Sequence, residues 1–134
     1  MANQSVTAVS AVATTTNTEK VIATSPPTDY NNPAGQGNAI TGTLNITAGT
    51  GTTAVVIKCR QGTTTGGAIV GPAAGVSHTL AAGASANLSY DFLDPTVTPQ
   101  ANQQYSVTVT QTGGTGAGTV NYGVIGVSPA TSAD

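Results

Sequence analysis

Three residues that could take part in chemistry are consecutive in the stretch TTAVVIKCRQG, which covers residues 52–62. Cys59 is the only cysteine, and it stands between Lys58 and Arg60, two of only three basic residues in the chain. A thiol beside cations could be a reactive thiolate, because nearby positive charge lowers the pKa of a cysteine. The stretch also alternates apolar and polar residues, which predicts a strand with Cys59 on its apolar face. We therefore expect a buried thiol, with both cations on the solvated face.

The only histidine, His78, is the other residue that a cysteine hydrolase would need. Such an enzyme places its histidine beside an exposed thiol, together with an orienting group and an oxyanion hole. No protease signature surrounds Cys59, and the stretch VSHTL is typical of a strand with its histidine on a polar face. The sequence predicts no enzyme and no cofactor.

Two of the carboxylates, Asp91 and Asp94, lie close together in the stretch YDFLDP. They could contribute to a calcium site with loop carbonyls, although the acidic loop pattern of such a site is absent. They could instead pair with Lys58 or Arg60, or start a turn before Pro95. We predict no metal site.

Aromatic residues are few, and the chain has no tryptophan. Tyr90 and Phe92 alternate with Leu88, which predicts that all three belong to the core. Tyr30 lies in a proline-rich segment and is the one aromatic residue expected to make an exposed contact. The sequence therefore nominates five residues for contacts with a partner: Lys58, Arg60, Asp91, Asp94 and Tyr30.

The composition and periodicity predict an all-β protein, since β-formers recur in alternating runs and strong helix formers are scarce. We expect strands at residues 5–13, 19–24, 39–48, 52–61, 68–70, 76–80, 86–93, 104–112 and 118–127. Glycine-rich links at residues 48–53 and 112–118 are typical of hairpins. Eight to nine such strands suit a two-sheet antiparallel β-sandwich of jelly-roll-like or immunoglobulin-like type. The predicted organisation is an N-terminal arm or edge strand (1–18), a sandwich domain (19–127) and a C-terminal tail (128–134).

The charge balance argues against several partners. A net charge of −2 with three cations does not fit nucleic-acid binding, which needs a face rich in lysine and arginine. The same scarcity argues against attachment to anionic lipid. The longest apolar run is far shorter than the roughly 20 residues of a spanning helix, so no membrane partner is expected. No secretory signal is visible, which predicts synthesis in the host cytoplasm or release from a longer precursor.

The stretches VIATSPP, ITGTLNITAGTGTTAVVIKCRQG, AAGASANLSYDF and QYSVTVTQTGGTGAGTVNYGVIGV together resemble small structural proteins of tailed-phage virions. The resemblance covers roughly residues 19–127, and the family consists of head-decoration or minor capsid proteins with a jelly-roll-like β-sandwich. It implies a symmetric, usually trimeric, surface protein. No catalytic or binding residue carries over from it.

The expected function is that of a non-enzymatic virion protein on the outer capsid surface, where it binds the lattice and reinforces it. Its partners would be the major capsid protein or neighbouring virion subunits, and its N-terminal segment could add a strand to a neighbour's sheet. The alternative is an adhesive or carbohydrate-binding β-sandwich, as a fibre, spike or pilus-like subunit. That alternative predicts an exposed aromatic patch around Tyr30.

Overall fold

The computed structural model describes residues 4–8, 12–13, 18–25, 37–50, 53–94, 103–113 and 118–129. Every regular element in these ranges is a β-strand, which confirms the predicted all-β class. The strands are β1 (Gln4–Ala8), β2 (Val12–Ala13), β3 (Glu19–Thr24), β4 (Asn38–Thr47), β5 (Thr53–Gln61), β6 (Ile69–Val70), β7 (Val76–Leu80), β8 (Ser85–Asp94), β9 (Tyr105–Thr112) and β10 (Thr119–Pro129). The predicted strands from residue 19 onward agree with these bounds to within two residues at each end.

The strands form two antiparallel sheets. The first sheet has the order β1–β10–β4–β8, and β2 also pairs with β10. The second sheet has the order β3–β9–β5–β6, and β7 also pairs with β5. The predicted two-sheet sandwich is therefore confirmed.

The strand pairs are nested within one another along the chain. Strand β5 pairs with β7, β4 with β8, β3 with β9 and β1 with β10. These four pairs belong alternately to the second and the first sheet, as if one long hairpin had been rolled up. That arrangement is the topology of a jelly roll.

Two links that were predicted to be hairpins instead cross between the sheets. The link after β4 leads from the first sheet to the second, and the link after β9 leads back again. The prediction was wrong because glycine-rich links show only that the chain turns, whereas burial of the strands' apolar faces decides which sheet comes next. A backbone hydrogen bond connects the link after β4 to the link after β7, because the Ala48 amide donates to the Ala84 carbonyl at 2.8 Å.

The core lies between the two sheets and follows the predicted alternation. Ile40, Leu44 and Ile46 of β4 are buried, as are Tyr105 and the two valines that follow it on the same face of β9. Leu88, Tyr90 and Phe92 of β8 are also buried, which confirms their assignment. Each large aliphatic side chain that is fully buried contributes about 1.5–3 kcal/mol to folding.

Gly42 allows one core side chain to reach across the first sheet. It occupies the core face of β4, directly opposite Tyr90 of β8. The Tyr90 hydroxyl passes over it and donates a hydrogen bond to the Val124 carbonyl of β10. A Cβ at position 42 would overlap both of these groups, so the position requires glycine.

The N-terminal segment forms an edge of the first sheet in its own chain. The single strand predicted at residues 5–13 is two strands, β1 and β2. Both pair antiparallel with β10, with Gln4 opposite Val127 and Val12 opposite Val120. Addition of this segment to a neighbouring subunit would therefore require exchange of these same pairings.

Candidate interaction surfaces

Cys59 is sealed in the core, as predicted. Its side chain is fully buried with Val55 and Ile57 on the inner face of β5. Burial raises the pKa of the thiol to about 12, and the negative charge of Asp94 adds to that rise. A thiol with this pKa remains protonated near neutral pH, so Cys59 is not a nucleophile.

His78 faces the core side of the second sheet, and its predicted position on a polar face was wrong. It lies opposite the buried Val55 in the pairing of β7 with β5, and paired residues of neighbouring strands share a face. Its Nε2 atom is buried and has no hydrogen-bond partner among the described residues. Since Cys59 lies four residues beyond Val55, about 13 Å along the strand, the two side chains do not form a catalytic pair.

Arg60 is held by an ion pair with Glu19 on the outer face of the second sheet. The Arg60 Nε lies 2.6 Å from Oε2 of Glu19, and Nη2 lies 2.9 Å from Oε1, so the contact is bidentate. Nη1 donates to the Gly67 carbonyl at 2.7 Å, and the Thr108 hydroxyl donates to Glu19 Oε2 at 2.6 Å. The hydrogen bonds from Arg60 are the main reason that the pKa of Glu19 is lowered, although burial opposes them.

Lys58 lies next to this ion pair but is not part of it. It is half-buried on the same outer face of β5, opposite Thr108 of β9. Lys58 makes no salt bridge with any residue that the structure describes. The cation that is available to a partner on this face is therefore Lys58 rather than Arg60.

Asp91 and Asp94 point to opposite sides of β8. Asp91 is exposed on the outer face of the first sheet, whereas Asp94 is 4% exposed and faces the interior. The two carboxylates therefore cannot share one cation, and the counter-ion of Arg60 is Glu19. Tyr30 lies outside the described residues. The four nominated residues that the structure describes are thus distributed over two outer faces and the interior.

Asp94 belongs to a polar cluster that joins the two sheets at one end of the sandwich. We call it the inter-sheet cluster: Asn38, Gln61, Asp94 and Tyr105. The Tyr105 hydroxyl donates to Asp94 Oδ2 at 2.7 Å and accepts from Asn38 Nδ2 at 2.8 Å. Gln61 Nε2 also donates to Asp94 Oδ2, at 3.1 Å. Burial and the hydrogen bond to Asp94 both raise the pKa of Tyr105.

A second polar cluster is exposed near the other end of β4 and β8. We call it the amide cluster: Asn45, Asn87, Asn121 and Tyr122. Asn45 Nδ2 donates to Asn87 Oδ1 at 2.8 Å, and Asn121 Nδ2 donates to Asn45 Oδ1 at 2.7 Å. The Tyr122 hydroxyl lies 3.4 Å from Asn87 Oδ1, and its side chain is 45% exposed. The cluster spans three neighbouring strands on the outer face of the first sheet.

A β-bulge places Tyr122 on this face. Val120 lies opposite Ile46, but Tyr122 lies opposite Asn45, so Asn121 is an extra residue in β10. Both Asn121 and Tyr122 are consequently exposed, and the strand resumes its alternation with Ile125 and Val127 buried. Sequence reasoning missed this cluster, although the broken period of two in VNYGVIGV was a visible signal of the bulge.

Other features of the described chain supply no reactive site. A shallow depression of about 220 Å³ on the outer face of the first sheet is lined by Thr41 and Gly126 to Ser128. No three acidic, histidine or cysteine residues within the described ranges are grouped as metal ligands would be. The described residues also contain no helix long and apolar enough to cross a membrane.

No protein-family model matches this chain, and no curated protein matches it. Solved structures do share its fold. A chain of the infectious bursal disease virus (IBDV) particle matches with a TM-score of 0.59 and 12% identity, over 94% of this chain and 30% of that chain. The structure of the IBDV Gx strain matches with a TM-score of 0.52 and 13% identity, over 94% and 31%.

These likenesses concern the fold, because the identities are low. This chain spans about a third of the length of the virus chains that it matches. A Bacillus endospore appendage, described as a disulfide-linked pilus, also matches over 98% of this chain and 93% of its own, with 17% identity. Its TM-score of 0.42 is too low to support any argument. The protein therefore has a jelly-roll sandwich of the kind found in these viral chains.

Proposed function

We propose that this chain is a non-enzymatic structural protein of a virus particle, which binds the outer capsid surface and reinforces the lattice. The observation that carries this proposal is the nested jelly-roll topology, since the viral chains above share this fold over nearly the whole described sandwich. Cys59 is the one strong nucleophile of the sequence, and its burial in protonated form prevents it from reacting. This supports a structural role. A head-decoration or minor capsid protein is the particular role we favour.

The capsid contact is assigned to the outer face of the second sheet. Lys58 offers a cation there without a salt bridge to any described residue, and the Arg60–Glu19 pair next to it is already fixed. A carboxylate of the capsid protein would form a salt bridge with Lys58. Such a contact would orient the protein on the lattice and weaken as salt rises. Tyr30 remains a candidate contact, and Asp91 would serve a neighbour on the opposite face.

Assembly as a homo-oligomer, with a trimer favoured, is part of the proposal. Strand β1 forms the edge of the first sheet through five residue pairs with β10. Exchange of β1 between copies would replace these pairs with identical ones and link the subunits by main-chain hydrogen bonds. Removal of residues 1–16 should then weaken subunit association while the second sheet stays folded.

The experiment is co-sedimentation of the protein with virus particles purified from its source. The wild type should sediment with the particles, and Lys58→Glu should lower the bound fraction about tenfold or more, because it reverses the charge at the contact. Lys20→Glu is the control, since Lys20 lies in edge strand β3 of the same sheet but is paired with the buried Val109, so it does not share the outer face of Lys58. Absence of the chain from purified particles would contradict the proposal. An equal loss of the bound fraction for both variants would show that Lys58 is not part of the contact.

A further inference from the structure

The amide cluster has the features of a binding site that is organised before its ligand arrives. Its side chains project from β4, β8 and β10, which are adjacent strands of one sheet. Asn45 is fixed from both sides, because it donates to Asn87 and accepts from Asn121. Asn121 Nδ2 also donates to the Thr47 hydroxyl at 3.1 Å, and the hydroxyls of Thr47 and Ser85 form a hydrogen bond of 2.7 Å. Little side-chain freedom is left to lose on binding.

The cluster retains hydrogen-bonding capacity that its internal bonds do not use. An asparagine side chain has two N–H donors and a carbonyl acceptor. Within the described part of the chain, Nδ2 of Asn87 and Oδ1 of Asn121 have no partner. Both residues are exposed. A donor and an acceptor are thus presented to solvent a short distance apart on a rigid surface.

Tyr122 adds an aromatic surface beside these amides. Tyr122 is 45% exposed, and the bulge at Asn121 keeps it on the outer face of the sheet. An exposed tyrosine combines an apolar ring with a polar hydroxyl, and it binds ligands with the same mixed character. A sugar ring has that character, since its C–H groups form an apolar face and its hydroxyls point outward around the edge.

The charges around the cluster restrict the ligand further. Asp91 is the charged residue on this face among the described side chains, and it lies four residues from Asn87, about 13 Å along β8. Among the described side chains, this face has no lysine or arginine that could bind a phosphate, sulfate or carboxylate group. A peptide that adds a strand would use the backbone of the edge strand β8, whereas the groups presented here are side chains on the sheet face. A neutral carbohydrate meets these restrictions.

We infer that Asn87, Asn121 and Tyr122 form a binding site for neutral glycans on the outer face of the first sheet. The Tyr122 ring stacks on the sugar, while Asn87 donates to one hydroxyl and Asn121 accepts from another. The site faces away from the proposed capsid contact, so a particle-bound subunit would present it to the surroundings. The inference does not rest on the capsid role, because the isolated protein should bind as well.

The test uses an array that carries neutral hexose and N-acetylhexosamine oligosaccharides beside sialylated and sulfated ones. The intact protein should bind one or more neutral oligosaccharides. It should bind no glycan for which binding depends on a sialic acid or a sulfate group. Titration calorimetry with the tightest neutral oligosaccharide then measures the variants. Tyr122→Ala should weaken binding about tenfold or more, and Asn87→Ala about fivefold.

Matched controls lie on the same face of the same sheet. Leu93→Ala removes another exposed apolar side chain, and Ser89→Ala removes another exposed polar one two residues from Asn87. Both should leave the affinity within about twofold, and thermal melting should show that every variant is folded. No neutral binder on the array, selective binding of charged glycans, or equal loss in controls and cluster variants would each overturn the inference.

Discussion

The inter-sheet cluster and the amide cluster each include one register pair of polar residues from β4 and β8, yet they have opposite surroundings. Asn38 and Asp94 are a register pair at one end of β4 and β8, and Asn45 and Asn87 are a register pair seven residues away. The first pair faces the interior and is nearly inaccessible, whereas the second faces solvent. An odd separation along a strand is enough to change the face of a side chain.

The difference determines what each cluster contributes. A buried polar group that loses its partner pays the full cost of desolvation, so the inter-sheet cluster should matter for stability. An exposed group exchanges its partner for water at little cost, so the amide cluster should matter little for stability and remains free to bind a ligand. This contrast can be tested with pairs of matched substitutions.

The largest effect is expected from the two aspartates of β8. Asp94→Ala removes the acceptor of the Tyr105 hydroxyl and the Gln61 amide, and should lower the free energy of unfolding by about 3 kcal/mol. Asp91→Ala removes an exposed carboxylate three residues earlier and should change it by less than about 0.5 kcal/mol. Urea denaturation measures both. Similar losses for the two variants would contradict the assignment of Asp94 to the interior.

Two tyrosine hydroxyls provide the next comparison. Tyr105→Phe deprives both Asn38 and Asp94 of a buried partner and should cost about 1–2 kcal/mol of unfolding free energy. Tyr122→Phe removes an exposed hydroxyl with one long contact, and should cost less than about 0.5 kcal/mol. Thermal or urea unfolding distinguishes the two. A larger loss for Tyr122→Phe would reverse the proposed roles of the clusters.

The ion pair on the second sheet should have an intermediate effect that depends on pH. The pKa of Glu19 is lower in the folded protein than in the unfolded chain, where it is near 4.5. The ion pair therefore contributes its full stabilisation above pH 4.5, and this stabilisation is lost as the pH falls through the pKa of the folded state. Glu19→Gln should cost about 1 kcal/mol at neutral pH. The gap between wild type and variant, measured by urea unfolding, should narrow below pH 4.5. A gap that stays constant down to acid unfolding would contradict the ion pair.

The smallest effect is expected for Asn45, at the centre of the amide cluster. Asn45→Ala breaks hydrogen bonds to Asn87 and Asn121, yet it should change the free energy of unfolding by about 0.5 kcal/mol or less because water replaces them. Urea denaturation checks this value. A loss as large as that of Tyr105→Phe would show that exposure does not separate the clusters.

Much of the fold could be predicted from the sequence because strand alternation is a local signal. The periodicity of β4, β5, β8 and β9 gave their inner faces correctly, including Cys59. The pairing order is not local: Glu19 and Arg60 are 41 residues apart, and neither their strands' spacing nor their charges identify the pair. The prediction that placed His78 on a polar face failed for a related reason, since β7 alternates weakly and its partner strand fixes its orientation.

The candidate surfaces were harder to predict than the core. Lys58 and Arg60 were assigned to the correct face, but which of them is paired depends on β3, which joins the sheet through β9. The amide cluster depends on the bulge in β10, because strict alternation from the buried Val120 would place Asn121 on the outer face and Tyr122 on the inner face. A bulge of this kind is set by the pairing of β10 with β4, which connects residues more than 70 positions apart.

The central claim, a structural protein on the outside of a virus particle, is tested most directly by electron cryo-microscopy of particles purified from the source of this sequence. We expect density for a jelly-roll sandwich on the outer capsid surface, with Lys58 facing the lattice and Tyr122 facing outward. Placement of the chain inside the capsid, in a helical filament, or in no part of the particle would contradict it.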